Sequence, residues 1–433
     1  MTGQAAAKKH FTEHFLYPVV IVMLCSAFLF YKYVLQVSPS IMTHQLMQQF
    51  NITGVGLGNL AATFFYAYFI TQLFVGVLLD KYSVRLLSSL AILVSALGAC
   101  LFADTQSLIS AGVFRAMMGF GAAFATVCYL KTTAVWFKPN HFAFISGLLA
   151  TAAMLGAVFG EAPLSYVVQG YGWRACLMGC GIAGIILSIL FFITVRDETF
   201  TGIVNPNQVK HGITLKAVWQ VLKSRQNLLL TFYSGLSFTP VAVFGGLWGN
   251  PFMQETYSLS QTHAASLVSL SFIGLAVGGP VLGLISDRLG KRMQIMLVGN
   301  TLALTALCFV IYCPGLSLPI VGIMLFLFGF GVSAFMLSFA LGKESNPLFL
   351  AATVIALINS GDGIFGSFSE PLVGKVLDLG WDGKIVGGVH YFSRHDYQVA
   401  LSLLPAYLLI AAILLFFIRD SKRHVNAIAE LEA

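Results

Sequence analysis

About twelve runs of apolar residues, each long enough to cross a bilayer, occupy most of this 433-residue chain. They lie at roughly 16–38, 55–79, 86–104, 106–130, 142–168, 174–195, 227–250, 264–285, 293–313, 317–341, 348–377 and 398–418, and a spanning helix needs about 20 such residues. Inside hydrocarbon every backbone N–H and C=O must bond within the protein, so only helices and closed barrels cross. The runs are too long and too glycine-rich for membrane strands, which read as alternating segments of about ten residues. Charge content agrees, since 9% of residues are charged against about 25% in a soluble domain. The expected fold class is all-α integral membrane, with twelve transmembrane helices and the lipid bilayer as partner.

The net charge of +7 does not point to nucleic acid, because the bases are spread over alternate loops. Lys8, Lys9, Lys81, Arg85, Lys131, Lys138, Arg196, Lys216, Arg288, Lys291, Arg292, Arg419 and Lys422 fall on one side. Arg174, Lys375, Lys384 and Arg394 fall on the other. By the positive-inside rule the first side, with both termini, is cytoplasmic. The polar N-terminus leads into a full-length span and reads as a helix flank, not a cleaved signal. Seven cysteines sit in or beside the apolar runs and form no extracellular disulfide pattern. Cys176 and Cys180, one turn apart, read as core packing. His390 and His395 read as members of a solvated loop and not as a metal site. No nucleophile–base pair stands out, so no enzyme is expected. No cofactor is expected either: GxxxxGK[ST] does not occur, which leaves an ion gradient as the driving force.

Two short charged hinges repeat. Gly76–Arg85 reads GVLLDKYSVR and Gly283–Arg292 reads GLISDRLGKR, with Asp80 and Asp287 separated by nearly half the chain. Gly112, Gly119 and Gly121 recur as Gly322, Gly329 and Gly331 at one constant offset. One unit is used twice. The boundaries are an N-terminal half at 1–195, a linker at 196–226 and a C-terminal half at 227–433. Within the linker Leu215, Val218, Trp219 and Leu222 share one face, which predicts a surface helix on the cytoplasmic side.

The hinges resemble the loop signature of the major facilitator superfamily, G-x-x-x-D-[RK]-x-G-x-[RK]-[RK]. The second copy fits nearly in full. The first has Ser83 in place of the inner glycine and Leu86 in place of a base. The resemblance implies two pseudo-symmetric six-helix halves and a monomeric secondary transporter. Such a fold binds its solute near the midplane and rocks its halves around it. It also implies a gating role for Gly76, Asp80, Arg85, Gly283, Asp287, Arg288 and Arg292, with the two aspartates bonding helix ends and bases across the halves.

Polar residues inside spans are costly and mark pathways. Lys32 and Gln36 share a face of span one; Lys32 either faces a cavity or snorkels to the outer headgroups. Arg115 in span four precedes Gly119 and Gly121, resembling the superfamily's R-x-x-x-G-x-G pattern. Leu325 replaces it in the repeat. Glu161 in span five lies at a similar depth, and the two either form a buried ion pair or couple to substrate. Trp248 in span seven is a substrate platform or a belt residue. In span eleven Asn359, Asp362, Gly366 and Glu370 form one helical stripe. Burial favours the neutral form of a carboxylic acid, which suits a proton carrier; a solvated stripe is the other reading. The expected substrate contacts are Lys32, Gln36, Arg115, Asn359 and Trp248, and the expected proton-coupling groups are Glu161, Asp362 and Glu370.

These groups suit a small zwitterionic or anionic solute carried with protons, an amino acid first. A carboxylate-rich anion (an organic acid or a polycarboxylate siderophore) is the second reading. Drug/proton antiport is third, because Glu161 breaks the glycine–proline motif of antiporters. YKYVLQVSPSIMTHQLMQQFNI at 31–52 and FALGKESNP at 339–347 also resemble the phagosomal nutrient transporter branch of intracellular bacteria. That likeness implies nutrient import across a bacterial inner membrane.

Overall fold

The computed structural model describes residues 2–136, 139–196, 221–313, 315–346 and 350–420; the side chains of 2–16, 73, 77, 80, 81, 134, 135, 139–147, 351 and 352 lie outside the description. The expected linker helix at 215–222 lies almost wholly outside the described residues. Helix α1 is Thr2–Val37, followed by a 3₁₀ turn, Ser38–Met42, and α2, Thr43–Phe50. Then come α3 (Gly54–Lys81), α4 (Val84–Asp104), α5 (Leu108–Ala122), α6 (Phe124–Trp136) and α7 (Pro139–Thr194). After the linker, α8 (Arg225–Val243) passes through a π-helical turn, Phe244–Trp248, into α9 (Gly249–Tyr257). The chain continues with α10 (Gln261–Leu289), α11 (Arg292–Tyr312) and α12 (Leu318–Val332). A 3₁₀ turn, Ser333–Met336, leads to α13 (Leu337–Glu344) and α14 (Ala351–Gly380). The hairpin β1 (Ile385–Val386) and β2 (Val389–His390) precedes α15 (Arg394–Leu401) and α16 (Leu403–Leu415).

Among the described residues nine stretches are long and apolar enough to span, one of them the 47-residue Leu148–Thr194. Gly172 breaks that stretch with φ 82 and ψ 158, a conformation that needs glycine, so it holds two spans. Helices α3 and α14, 28 and 30 residues long, complete the twelve.

The chain forms two compact units, 1–38 with 63–211, and 39–62 with 212–433. The sequence halves meet at the linker, but 39–62 pack with the second unit. The reason is at α3's first turn, where Asp378 of α14 accepts the backbone N–H groups of Gly54 and Val55, each at 2.8 Å. These are two of the donors every helix start leaves unsatisfied, and a carboxylate there is also favoured by the helix dipole. Backbones touch alongside: a Cβ on Gly374 would lie 2.2 Å from the Gly54 carbonyl, and one on Gly58 2.5 Å from that of Glu370.

The repeat shows inside each unit as matched glycine contacts. In the first unit Gly119 meets the Phe64 carbonyl and Gly121 that of Ala91; in the second Gly329 meets Ser271 and Gly331 meets Gly299. Gly156 meets Phe30 in the first unit, and Gly361 meets Thr231 in the second. Helices without a hydrophobic drive between them pack through small residues that let backbones approach.

Candidate functional site

In the first unit the polar residues gather where α1 ends. Lys32 is 5% exposed. Its Nζ lies 4.5 Å from the ring centres of both Tyr33 and Tyr68 and donates to the Tyr68 hydroxyl at 3.3 Å. The ammonium is thus held between two rings and does not reach out to a headgroup. Among the described residues no carboxylate pairs with it.

Arg115 does something different. Pro39 lacks the N–H that would bond the Leu35 carbonyl, so α1 ends with an orphaned acceptor. Arg115 Nη1 donates to that carbonyl at 2.5 Å and Nη2 to the Gln36 carbonyl at 2.8 Å, with Ser38 Oγ adding a bond to Leu35 at 3.0 Å. The guanidinium also lies 4.8 Å from the Phe64 ring centre. A cation at a helix C-terminus suits the dipole. Gln36 is half-buried, and Glu161 is fully buried on α7, beside Gly160, which packs on Val34.

In the second unit the stripe on α14 holds as one helical face. Asp362 accepts from Ser234 Oγ on α8 at 2.8 Å. Glu370 is 2% exposed, and Asn359 is half-buried. Trp248, 1% exposed, donates its Nε1–H to the Glu370 carbonyl at 3.1 Å. It therefore sits in the protein and not in an interfacial belt.

The hinge residues divide. Arg292 bonds both carboxylate oxygens of Glu344 at 2.9 Å through Nε, and Asp287 at 3.0 Å through Nη2. Asp287 thus bonds its own hinge. Arg288 is exposed in the last turn of α10. Arg85 donates to the Phe192 carbonyl at 2.6 Å and stacks on its ring. The side chain of Asp80 lies outside the described ones. A Cβ on Gly76 or Gly283 would meet nothing within 4 Å, so steric demand does not explain these two glycines. Because the Arg292–Glu344 pair is bidentate and Asp287 is 57% exposed, Glu344→Ala is expected to cost about 1 kcal/mol and Asp287→Ala only a few tenths. Thermal unfolding of both variants checks this order.

Three partners were not singled out from sequence: Tyr33, Ser234 and Asp378. The Gly54–Gly58 spacing, a small-x-x-x-small pattern, was the available signal for the α3–α14 contact. The outer segment expected as a solvated loop forms the β1–β2 hairpin. His390 stacks on Trp381 at 3.7 Å and lies 3.7 Å from Asp378. A hydrogen bond to Glu255 lifts the Tyr391 phenol above its ordinary range. Trp173 is buried against Phe102.

Twelve membrane helices with matched contacts in the two repeats, and buried charges inside spans, define a membrane carrier. The profile of the Major Facilitator Superfamily matches residues 19–370, and the chain belongs to that family. It is 21% identical over 383 residues to the uncharacterized transporter YybO of Bacillus subtilis, covering 83% of this chain and 87% of that one. To the probable galactarate/D-glucarate transporter GudP of the same organism it is 21% identical over 398 residues, covering 84% and 86%. A bacterial homologue of the human lysosomal transporter Spinster, in an inward-facing and unoccupied conformation, superposes with a TM-score of 0.75 at 14% identity. That match covers 93% of this chain and 96% of that one. The chain is a multi-pass membrane transporter for small molecules.

Proposed function

We propose that this transporter imports a small carboxylate, of the sugar-diacid class, together with protons. The observation that carries the reading is Lys32, a buried ammonium whose partners among the described residues are two tyrosines and no acid. A buried charge without a counter-charge is costly, and inside a membrane it marks a solute pathway. An anionic substrate would supply the missing charge. The likeness to a probable galactarate/D-glucarate transporter supports the organic-acid alternative over the amino acid expected first. Tyr33 and Tyr68 hold the ammonium, and Gln36, one turn on, would serve a hydroxyl-rich solute. Arg115 serves the same region by fixing the end of α1. Glu370 and Asp362 are the proposed proton carriers, with Glu161, buried on α7 next to the Gly160–Val34 contact, as the third. The positive-inside bias of the loops supports a cytoplasmic position for both termini.

The test is thermal stabilisation of the purified protein by D-glucarate, galactarate, neutral hexoses and an amino-acid panel, followed by uptake into proteoliposomes. A ligand at 100 times its dissociation constant adds about 2.7 kcal/mol. Sugar diacids should stabilise, and neutral hexoses should not. Stabilisation by amino acids alone would return the reading to a zwitterion. For coupling, Glu370→Gln and Asp362→Asn are each expected to abolish uphill accumulation. If both variants accumulated substrate like the parent, the proton assignment would fall.

A further inference from the structure

Two elements of the second unit converge on Glu370. From α3, Gly58 comes so close that a Cβ there would lie 2.5 Å from the Glu370 carbonyl oxygen and 2.7 Å from the Cα of Pro371. From the π-helical turn, Trp248 gives its indole N–H to the same carbonyl at 3.1 Å. From the same turn, Gly246 leaves an open face on the carboxyl: a Cβ there would have one neighbour within 4 Å, Glu370 Oε1 at 3.9 Å.

Both helices depart from regular geometry at this level. A π turn inserts one extra residue and turns the side chains after it by about 100° relative to an unbroken α-helix. Trp248 is the last residue of that turn. In α14, Pro371 has no N–H for the carbonyl one turn back and its ring crowds that turn, so Glu370 stands at the helix's weakest point. The acceptor that loses its donor is the Ser367 carbonyl; the indole instead adds a bond at the residue preceding the proline, beside that weak turn.

We propose that Trp248 is a positioning residue for Glu370: through the Glu370 carbonyl it fixes how the carboxyl is enclosed, and the π turn brings it there. The inference rests on Glu370 being a proton carrier. Other ionisable groups on the surrounding elements have named places. Asp362 takes Ser234, Asp378 caps α3, Glu255 takes Tyr391, and the Tyr407 hydroxyl meets Ser369 at 3.1 Å. Tyr233 of α8, Tyr257 of α9 and Tyr397 of α15 are further phenols, Lys375 on α14 is exposed, and α3 presents no ionisable group between Gly54 and Ala62.

The test is an infrared titration of the purified protein in lipid, with no substrate added. The C=O stretch of a protonated carboxylic acid is followed against pH in the parent, Glu370→Gln, Trp248→Phe and Gly246→Ala. Glu370→Gln should remove one titrating band. Trp248→Phe keeps the ring and loses the N–H, and should move the midpoint of that band by about half a pH unit or more. Gly246→Ala places a methyl in ordinary contact with the carboxyl, is expected to fold, and should move the same midpoint. This readout would not respond to a purely structural role. A Glu370 band with the parent's midpoint in Gly246→Ala, and in Trp248→Phe where that variant folds, overturns the positioning role and leaves the proton carrier standing. No band lost in Glu370→Gln overturns the carrier, and the positioning role with it.

Discussion

Arg115→Met is expected to unfold at a temperature several degrees below the parent, and Lys32→Met is not. The two side chains are both cationic, both in spans and both nearly buried, so residue type alone would give them one fate. Their partners differ. Arg115 bonds two carbonyls at the end of α1, one of them deprived of its helical donor by Pro39. Methionine fills similar volume but leaves those acceptors buried and unsatisfied. With hydrogen bonds to charged groups worth about 1.5–3 kcal/mol each, a loss of about 3 kcal/mol is expected. Arg115→Lys should recover less than half, because one ammonium cannot reproduce the planar fork. Lys32→Met instead removes a charge that no acid among the described residues pairs with. Replacing a buried charge by an apolar isostere is often neutral or stabilising, so the thermal midpoint should hold or rise while uptake falls at least a hundredfold. Thermal unfolding and proteoliposome uptake, run on the same preparations, check both halves. A stable Arg115→Met protein that fails to transport would move Arg115 from helix cap to substrate contact.

Gly329→Ala is expected to be among the most damaging single-methyl changes in the chain, and Gly112→Ala among the mildest. The new Cβ at 329 would fall 1.7 Å from the Ser271 carbonyl oxygen, and at 119 it would fall 2.1 Å from that of Phe64. Neither obstacle is a side chain that can swing aside; each is backbone in a packed helix. The helices must part by more than an ångström, and overpacking of this kind costs about 3 kcal/mol. At 112 the nearest atom is the Thr63 methyl at 3.8 Å, an ordinary contact, and alanine suits a helix better than glycine. Melting temperatures of Gly329→Ala, Gly119→Ala and Gly112→Ala test the contrast. Equal midpoints for the three would mean that the matched contacts do not hold the units together.

These glycines show how much of the fold was legible. The shared offset of Gly112, Gly119 and Gly121 with Gly322, Gly329 and Gly331 identified the repeat, because a fixed spacing survives in sequence. It could not tell which members touch a neighbouring backbone. That depends on the rotation of each helix about its axis, which packing sets. The candidate site followed the same rule. Lys32, Asp362 and Glu370 were visible because a charge inside an apolar run is conspicuous. Ser234 and Asp378 were not, because their roles lie in partners found 128 and 324 residues away.

By itself the sequence determined the span count, the repeat and the presence of buried charge. Each is a property of local composition in a solvent that tolerates no unbonded backbone. The tertiary structure alone decided that Arg115 closes the end of α1, that 39–62 pack with the second unit, and that Trp248 holds Glu370 through its carbonyl. Those assignments rest on hydrogen bonds between distant segments, and no periodicity along a chain encodes which carbonyl a given N–H will reach.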